Sequence, residues 1–163
     1  MTAEEWFKEF YQRYYFQKSF DGHTLDQLDK KHWHFADWAK AMDAFLHVMA
    51  AELRFSVVPQ SKDRVEHRWK QDAEEILVVN ENDGRRVPKE IGTMCKDPCH
   101  LKVLVAYVPD EGFVGHAMKL AKKVREDIDE VGAFEGEFLL VVGGTEMDWT
   151  AIKSVAKTQK GSS

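Results

Sequence analysis

Two acidic residues lie in neighbouring strand-like segments of this sequence, and their neighbours do not account for them. Glu66 stands in the segment 64–69, and Glu81 ends the strongly apolar run that begins at Ile76. Side chains on adjacent strands of a sheet come close together, and carboxylates are the ligands that Mg²⁺ and Mn²⁺ prefer. The pattern therefore indicates a divalent-cation site with Glu66 and Glu81 as metal ligands.

The same two acids have a second interpretation that needs no cation. Alternation along the strand places Arg64 and Arg68 on the same side as Glu66, so a solvated ion pair with either arginine is expected there. Glu81 directly precedes the turn sequence 82–84, Asn-Asp-Gly, whose backbone a carboxylate can cap. The sequence leaves both interpretations open.

The composition is that of a globular protein with one domain. The chain has 163 residues, of which 44% are hydrophobic and 31% are charged. No apolar run approaches the ~20 residues of a membrane span, and the acidic, aromatic start is unlike a signal peptide. Two cysteines without a targeting signal favour free thiols in a reducing compartment. We therefore expect a cytoplasmic protein without a membrane partner.

The net charge of −5 argues against nucleic-acid binding through bulk positive charge. It does not exclude a local basic surface, and Arg85 and Arg86 form a basic pair directly after the turn at 82–84. Nucleic acid therefore stays open as a partner. The sequence does not determine the oligomeric state, and a homodimer also stays open.

Hydrophobic periodicity predicts an α/β protein with a mixed central sheet of five or six strands and flanking helices. Three- and four-residue apolar spacing predicts helices over 3–18, 35–53, 88–96 and 113–131, the last of them capped by Asp110. Short apolar or alternating runs predict strands over 55–58, 64–69, 75–80, 100–108, 138–142 and, at a sheet edge, 149–155. Polar turns join the first three strands into an antiparallel meander, whereas helices between the later strands predict parallel neighbours.

The same pattern predicts the domain organisation. Residues 1–31 form an N-terminal helical extension packed on the core, residues 32–156 a single α/β domain, and residues 157–163 a disordered tail. The first helix carries aromatic residues at helical spacing without basic residues on the same face. This favours core packing over a platform for stacking nucleic-acid bases.

Over residues 35–108 the element order resembles that of the PD-(D/E)XK nuclease-like superfamily. In that superfamily a helix carrying a Glu precedes a three-stranded meander, a second helix and a further strand. Glu52 matches the helix position, Glu66 matches the acid of the second strand, and residues 79–81, Val-Asn-Glu, match the (D/E)-x-K triplet. The resemblance implies a restriction-endonuclease-like core that hydrolyses nucleic-acid phosphodiesters with Mg²⁺ or Mn²⁺.

The resemblance also implies a role for each matching residue. Glu52, Glu66 and Glu81 become the catalytic residues, with Glu66 and Glu81 binding the metal directly and Glu52 binding it through water. Arg85 and Arg86 become the substrate-binding residues, which contact the phosphate backbone.

The triplet departs from the superfamily pattern at two positions. Val79 replaces the first acid, and Glu81 replaces the lysine, for which Lys96 and Lys102 are candidates to migrate in. The departures leave an alternative function, a catalytically degenerate nuclease-fold protein that acts as a binding or interaction module. A third possibility is an unrelated α/β interaction domain whose acids all lie on the surface.

One further constellation has some metal-binding character. Cys95, Cys99 and His100 form a Cys-x-x-x-Cys-His string, but zinc sites usually need a second ligand pair. Only His32 and His34 are available for that pair, and they are expected to be ordinary surface histidines. The spacing does not decide whether this string binds a metal.

Overall fold

A single mixed β-sheet with helices on both faces makes up the centre of the protein. The computed structural model describes residues 1–17, 19–20, 23–24, 35–62, 65–144 and 149–155. The helices are α1 (Ala3–Gln17), α2 (Phe35–Glu52), α3 (Val87–Cys95) and α4 (Phe113–Val131). The strands are β1 (Ser19–Phe20), β2 (His23–Thr24), β3 (Ser56–Pro59), β4 (Glu66–Gln71), β5 (Glu74–Glu81), β6 (Leu101–Val108), β7 (Glu137–Gly144) and β8 (Trp149–Val155).

The main sheet has six strands in the order β3-β4-β5-β6-β7-β8, while β1 and β2 form a separate hairpin. Strands β3 to β5 form an antiparallel meander, β5, β6 and β7 are parallel, and β8 returns antiparallel at the edge. The predicted fold class, including the sixth strand at an edge, is confirmed. The predicted tail at 157–163 lies outside the described residues.

The carboxyl ends of the three parallel strands lie at one edge of the sheet, which we call the carboxyl edge. It is marked by Glu81, Val108 and Gly144, and β4 contributes its first residues because it runs antiparallel to β5. In open α/β sheets this edge is where ligands bind. Both halves of the predicted metal site, Glu66 and Glu81, therefore lie at a suitable edge.

Each face of the sheet has its own hydrophobic core. Helices α1 and α2 cover one face, here called the α2 face, and meet inward residues such as Trp69, Ile76 and Val78. Helices α3 and α4 cover the other, the α3 face, and meet residues such as Leu77 and Val79. Because β5 to β7 are buried on both sides, they read as nearly continuous apolar runs in the sequence.

The aromatic stripe of α1 belongs to the core of the α2 face. Trp6, Phe10 and Tyr14 are almost completely buried, and the rings of Trp6 and Phe10 stack with centroids 5.4 Å apart. Trp6 also lies 5.8 Å from Trp69 of β4 between ring centroids. Core packing, rather than a base-stacking platform, is the role of these residues.

The start of α4 differs from its prediction. The residue that caps the helix is Gly112, whose φ of 70° lies in the left-handed region that suits glycine. The N-cap residue is therefore Gly112 and not Asp110, which precedes it by two residues. Asp110 contributes its backbone carbonyl, which accepts a hydrogen bond from the Phe113 N–H at 2.9 Å. Among the described helices, none combines the length and the apolar character that crossing a bilayer requires.

A bidentate ion pair fastens the loop after α3 to the sheet. Arg68 of β4 donates from Nη1 to Asp97 Oδ1 at 3.0 Å and from Nη2 to Asp97 Oδ2, and it also reaches Glu75 at 3.1 Å. Asp97 in turn accepts a hydrogen bond from the Cys99 N–H at 3.0 Å. The Arg68 guanidinium lowers the pKa of Asp97 to about 2, despite partial burial of the carboxyl.

This ion pair predicts an acid-labile contribution to stability. Unfolded Asp97 takes up its proton near the ordinary pKa of 3.8, whereas folded Asp97 stays ionised until about pH 2. The contribution is therefore complete above pH 4 to 5 and is lost as the pH falls towards 2, amounting to about 2 kcal/mol. Urea unfolding from pH 6 to pH 2 measures it. Asp97→Asn is expected to flatten the acid limb of the stability curve, whereas Glu111→Gln, at an exposed position, is expected to leave it unchanged. Equal acid limbs in all three proteins would contradict this account.

Candidate functional site

The register of β4 and β5 decides which predicted site residues can meet. Glu66 lies directly opposite Val79 in the antiparallel pair. Glu81, two residues beyond Val79, points to the same α3 face and is the diagonal neighbour of Glu66, a spacing of roughly 7–8 Å that is somewhat smaller between Cβ atoms. The structure thus brings Glu66 and Glu81 to the same face of the carboxyl edge, with Val79 at the position closest to Glu66.

Glu81 is buried, with 6% of its surface exposed, and it makes a local hydrogen bond. Its Oε1 accepts the Asp83 N–H at 2.9 Å, so the carboxylate caps the turn that follows β5. This is the arrangement that the second interpretation of the sequence describes. Asn80, the middle residue of the triplet, points to the opposite face, where its Oδ1 accepts a hydrogen bond from the Tyr107 hydroxyl at 2.5 Å.

Glu52 is not brought together with the other two acids. It is the last residue of α2, on the opposite face of the sheet, and its Oε2 accepts a hydrogen bond from Arg13 Nε at 2.8 Å. Asp43 of the same helix contacts His67, the neighbour of Glu66 in β4. Glu52 lies nine residues after Asp43, which is about 13 Å further along the helix axis at 1.5 Å per residue. The predicted three-carboxylate site therefore does not extend to Glu52.

The basic residues near the carboxyl edge are exposed. Arg85 is 91% exposed, and its Nε and Nη2 donate to the two carboxylate oxygens of Asp83 at 3.0 and 3.1 Å. Arg86 is also exposed, and its N–H donates to the Asp83 carbonyl at 2.9 Å. Both guanidinium groups are thus in a position to meet a partner in solution.

Neither candidate lysine reaches Glu81. Lys102 is fully buried, and its Nζ donates to the carbonyls of Cys99 at 2.8 Å and Glu135 at 2.6 Å. Lys102 pairs with Leu77 of β5, so its Cα is about 13 Å from the level of Glu81 along the strands. Lys96 is exposed just after α3, and its neighbour Asp97 binds Arg68. Arg68 lies opposite Leu77 of β5, so this part of the loop is at the same level of the sheet as Lys102, far from Glu81.

The cysteine string is not arranged as a metal site. Cys95 and Cys99 are free and buried, and burial raises the pKa of the Cys99 thiol to about 11. The Cys99 thiol donates to the Leu101 carbonyl, and His100 Nδ1 accepts the Glu75 N–H at 3.2 Å. These thiols are structural groups, not nucleophiles.

A different cluster lies on the α2 face of β4. Asp43 and His47 are one turn apart on α2, and the His67 side chain of β4 extends towards both of them. His67 Nε2 lies 2.5 Å from Asp43 Oδ1, His47 Nδ1 lies 3.6 Å from the same oxygen, and the two imidazole centroids are 4.5 Å apart. In the described part of the chain, these are the three side chains whose possible ligand atoms all lie within 4.8 Å of one another.

His67 has an unusual environment for a polar group. It is 2% exposed, and its Nδ1 is buried without a hydrogen-bond partner among the described residues. Burial lowers the pKa of His67 below its ordinary value, and the adjacent Asp43 carboxylate only partly opposes that effect. The imidazole is therefore neutral near pH 7, which is the form that binds metal ions.

Two features of the sequence point to this cluster. Alternation in β4 places His67 between inward-facing Val65 and Trp69, and an inward histidine needs a partner. Asp43 and His47 have the i, i+4 spacing of two ligands on one helical face. What spacing does not reveal is that this turn of α2 lies over this position of β4.

Comparison with protein-family models and with curated proteins gives no match to this chain. The resemblance to the PD-(D/E)XK superfamily therefore stays a prediction that rests on the residues and on the element order.

The turn-capping role of Glu81 has a consequence for stability. Glu81→Ala removes the acceptor of the partly buried Asp83 N–H bond and is expected to lower the free energy of unfolding by about 1 kcal/mol. Glu81→Gln keeps a carbonyl oxygen and is expected to lose less than half of that. Urea unfolding without divalent cations measures both variants. If both are as stable as the parent, or more stable, the carboxylate does not act as a cap.

Proposed function

We propose that this protein is a catalytically degenerate nuclease-fold domain that binds nucleic acid without cutting it. The observation that carries the proposal is the pairing of Glu66 with Val79 across β4 and β5. Val79 is 1% exposed and belongs to the core of the α3 face. An aliphatic side chain thus occupies the position nearest to Glu66, where the superfamily pattern has a carboxylate.

The chemistry of phosphodiester hydrolysis explains why this position matters. A Mg²⁺ ion activates water and polarises the phosphoryl group, and it is usually held by one or two carboxylates together with the substrate phosphates. Glu81 is bound to the Asp83 N–H, and Glu52 is on the other face of the sheet. Glu66 therefore lacks both the cross-strand acid and the helix acid that would complete a nuclease site.

The carboxyl edge supplies the binding surface in this proposal. Arg85, Arg86 and Lys89 are exposed at the start of α3, close in sequence to the turn that Glu81 caps. Cationic side chains at such a surface bind the phosphate backbone, which gives affinity without sequence readout. Because the chain as a whole is acidic, with a net charge of −5, binding is expected to be confined to this surface.

Hydrolysis is kept as a second candidate because one observation favours it. Glu66 and Glu81 are diagonal neighbours on the same face of the carboxyl edge. Glu side chains are long enough for two carboxylates at that spacing to share a cation when a substrate phosphate supplies further ligands.

Nucleic-acid binding is tested by fluorescence anisotropy with labelled single- and double-stranded DNA and RNA. Arg85→Ala/Arg86→Ala is expected to weaken binding and, on duplex DNA, to reduce the slope of log K against log salt by about 2, since two phosphate contacts are lost. The matched control Lys122→Ala/Arg125→Ala removes the same charge from exposed positions of α4. No binding by the parent, or an equal loss in the control, would contradict the binding surface.

Cleavage of the same substrates in Mg²⁺ or Mn²⁺ is tested in parallel. No metal-dependent cleavage is expected. Cleavage that disappears in both Glu66→Gln and Glu81→Gln would instead establish the second candidate.

Restoring the absent acid gives an independent test. Val79→Glu places a carboxylate opposite Glu66, and the two acids together are expected to bind Mn²⁺, which raises the melting temperature of the variant. Val79→Gln is the matched control, with the same shape and no charge. The melting temperatures of the parent and of Val79→Gln are expected to stay constant with Mn²⁺. A similar Mn²⁺-dependent rise in the parent that is lost in Glu66→Gln and kept in His47→Ala would mean that Val79 does not disable the site.

A further inference from the structure

We propose that Asp43, His47 and His67 form a binding site for one divalent cation of the zinc class, on the face of the sheet opposite to the predicted carboxylate site. The possible ligand atoms of the three side chains all lie within 4.8 Å of one another. A tetrahedral Zn²⁺ with bonds of 2.0–2.1 Å needs its ligand atoms about 3.3 Å apart. Asp43 Oδ1 lies 2.5 Å from His67 Nε2 and 3.6 Å from His47 Nδ1, so the first pair must open and the second must close slightly to share one ion.

The small remaining adjustment falls on side chains that are able to move. The side chains of His47 and Asp43 are 40% and 44% exposed on the outer part of α2, whereas His67 is almost completely buried below them. His47 Nδ1 lies 2.9 Å from the Asp43 carbonyl oxygen, so metal binding by Nδ1 requires the His47 side chain to turn away from that contact. The exposed outer side also gives a cation and its water a route from solvent.

The ligand set selects the class of metal. Two imidazoles and one carboxylate suit Zn²⁺, Co²⁺ and similar borderline ions, whereas Mg²⁺ and Ca²⁺ prefer sites built from oxygen alone. Three protein ligands leave a fourth position of a tetrahedral ion open to water, as in zinc sites that react with or bind a further ligand. This site is thus chemically different from the Mg²⁺ or Mn²⁺ site predicted at Glu66 and Glu81.

A hydrogen bond between His67 and Asp43 does not account for the whole arrangement. Asp43 Oδ1 lies 2.5 Å from His67 Nε2, and the second imidazole lies within 3.6 Å of the same oxygen. The ring nitrogen that faces Asp43 is Nε2, so a cation held by the cluster would bind His67 through Nε2, whereas the buried Nδ1 lies on the other side of the ring. A shared cation accounts for the convergence of two imidazoles and one carboxylate where helix meets sheet.

Zn²⁺ and Co²⁺ chlorides are the probes, and the untagged full chain is first dialysed against a chelator. Calorimetry is expected to give one Zn²⁺ per chain, and Co²⁺ is expected to give visible absorption bands of a tetrahedral site. Mg²⁺ is expected to give no saturable signal. Zn²⁺ is also expected to raise the melting temperature of the parent, because it binds the folded state.

Variants at the exposed ligands carry the test, since changes at buried His67 also affect folding. His47→Ala and Asp43→Asn are expected to weaken Zn²⁺ binding at least about tenfold and to remove the cobalt bands. His116→Ala, at an exposed position of α4, and His32→Ala/His34→Ala are controls that are expected to bind like the parent.

Three results would overturn the site. The first is the absence of saturable Zn²⁺ binding by the parent, and the second is unchanged binding in His47→Ala. The third is Zn²⁺ binding that is lost in His32→Ala/His34→Ala, which would place the metal ligands at those two histidines instead. In each case the cluster is a hydrogen-bonded histidine–aspartate pair with a neighbouring ring. None of these results depends on whether the protein binds or cuts nucleic acid.

Discussion

The pairing of β4 with β5 is the constraint on which both candidate sites depend. Successive residues of a strand point to opposite faces, so Glu66 faces α3 and His67 faces α2. The register places Val79 opposite Glu66 and Val78 opposite His67. A slip by one residue would exchange the two faces, placing Glu66 in the aromatic core of the α2 face and moving His67 away from Asp43. The buried residues Val65 and Trp69 make such a slip costly, because they would leave that core.

Most of the fold was predictable from the sequence because its elements are strongly periodic. The nearly continuous apolar runs of β5, β6 and β7 and the apolar stripes of α2 and α4 gave boundaries within a few residues. Local capping was less predictable, since the N-cap residue of α4 is Gly112, with a backbone φ of 70°, rather than Asp110. Both are reasonable helix starts, and the choice depends on how the loop from β6 meets the sheet.

The candidate sites were less predictable for a different reason. Sequence spacing places Glu66 and Glu81 on one face, but it does not specify where the end of α2 lies relative to them. Glu52 is consequently about 13 Å along the helix from the turn that contacts β4. The Asp43 and His67 pair joins residues 24 apart in sequence. It follows from the position of α2 on the sheet, which periodicity does not determine.

The two faces of β4 carry different polar groups. On the α3 face, burying Val79 stabilises the fold by ~1.5–3 kcal/mol, whereas a carboxylate beside Glu66 would bring like-charge repulsion that only a cation offsets. Glu81 there already accepts a backbone hydrogen bond. On the α2 face, His67 Nε2 lies next to the Asp43 carboxylate and near a second imidazole, that of His47. The proposed zinc-class site therefore lies on the α2 face of β4, and the cation predicted for Glu66 and Glu81 would lie on the other face, so the two proposals are tested separately.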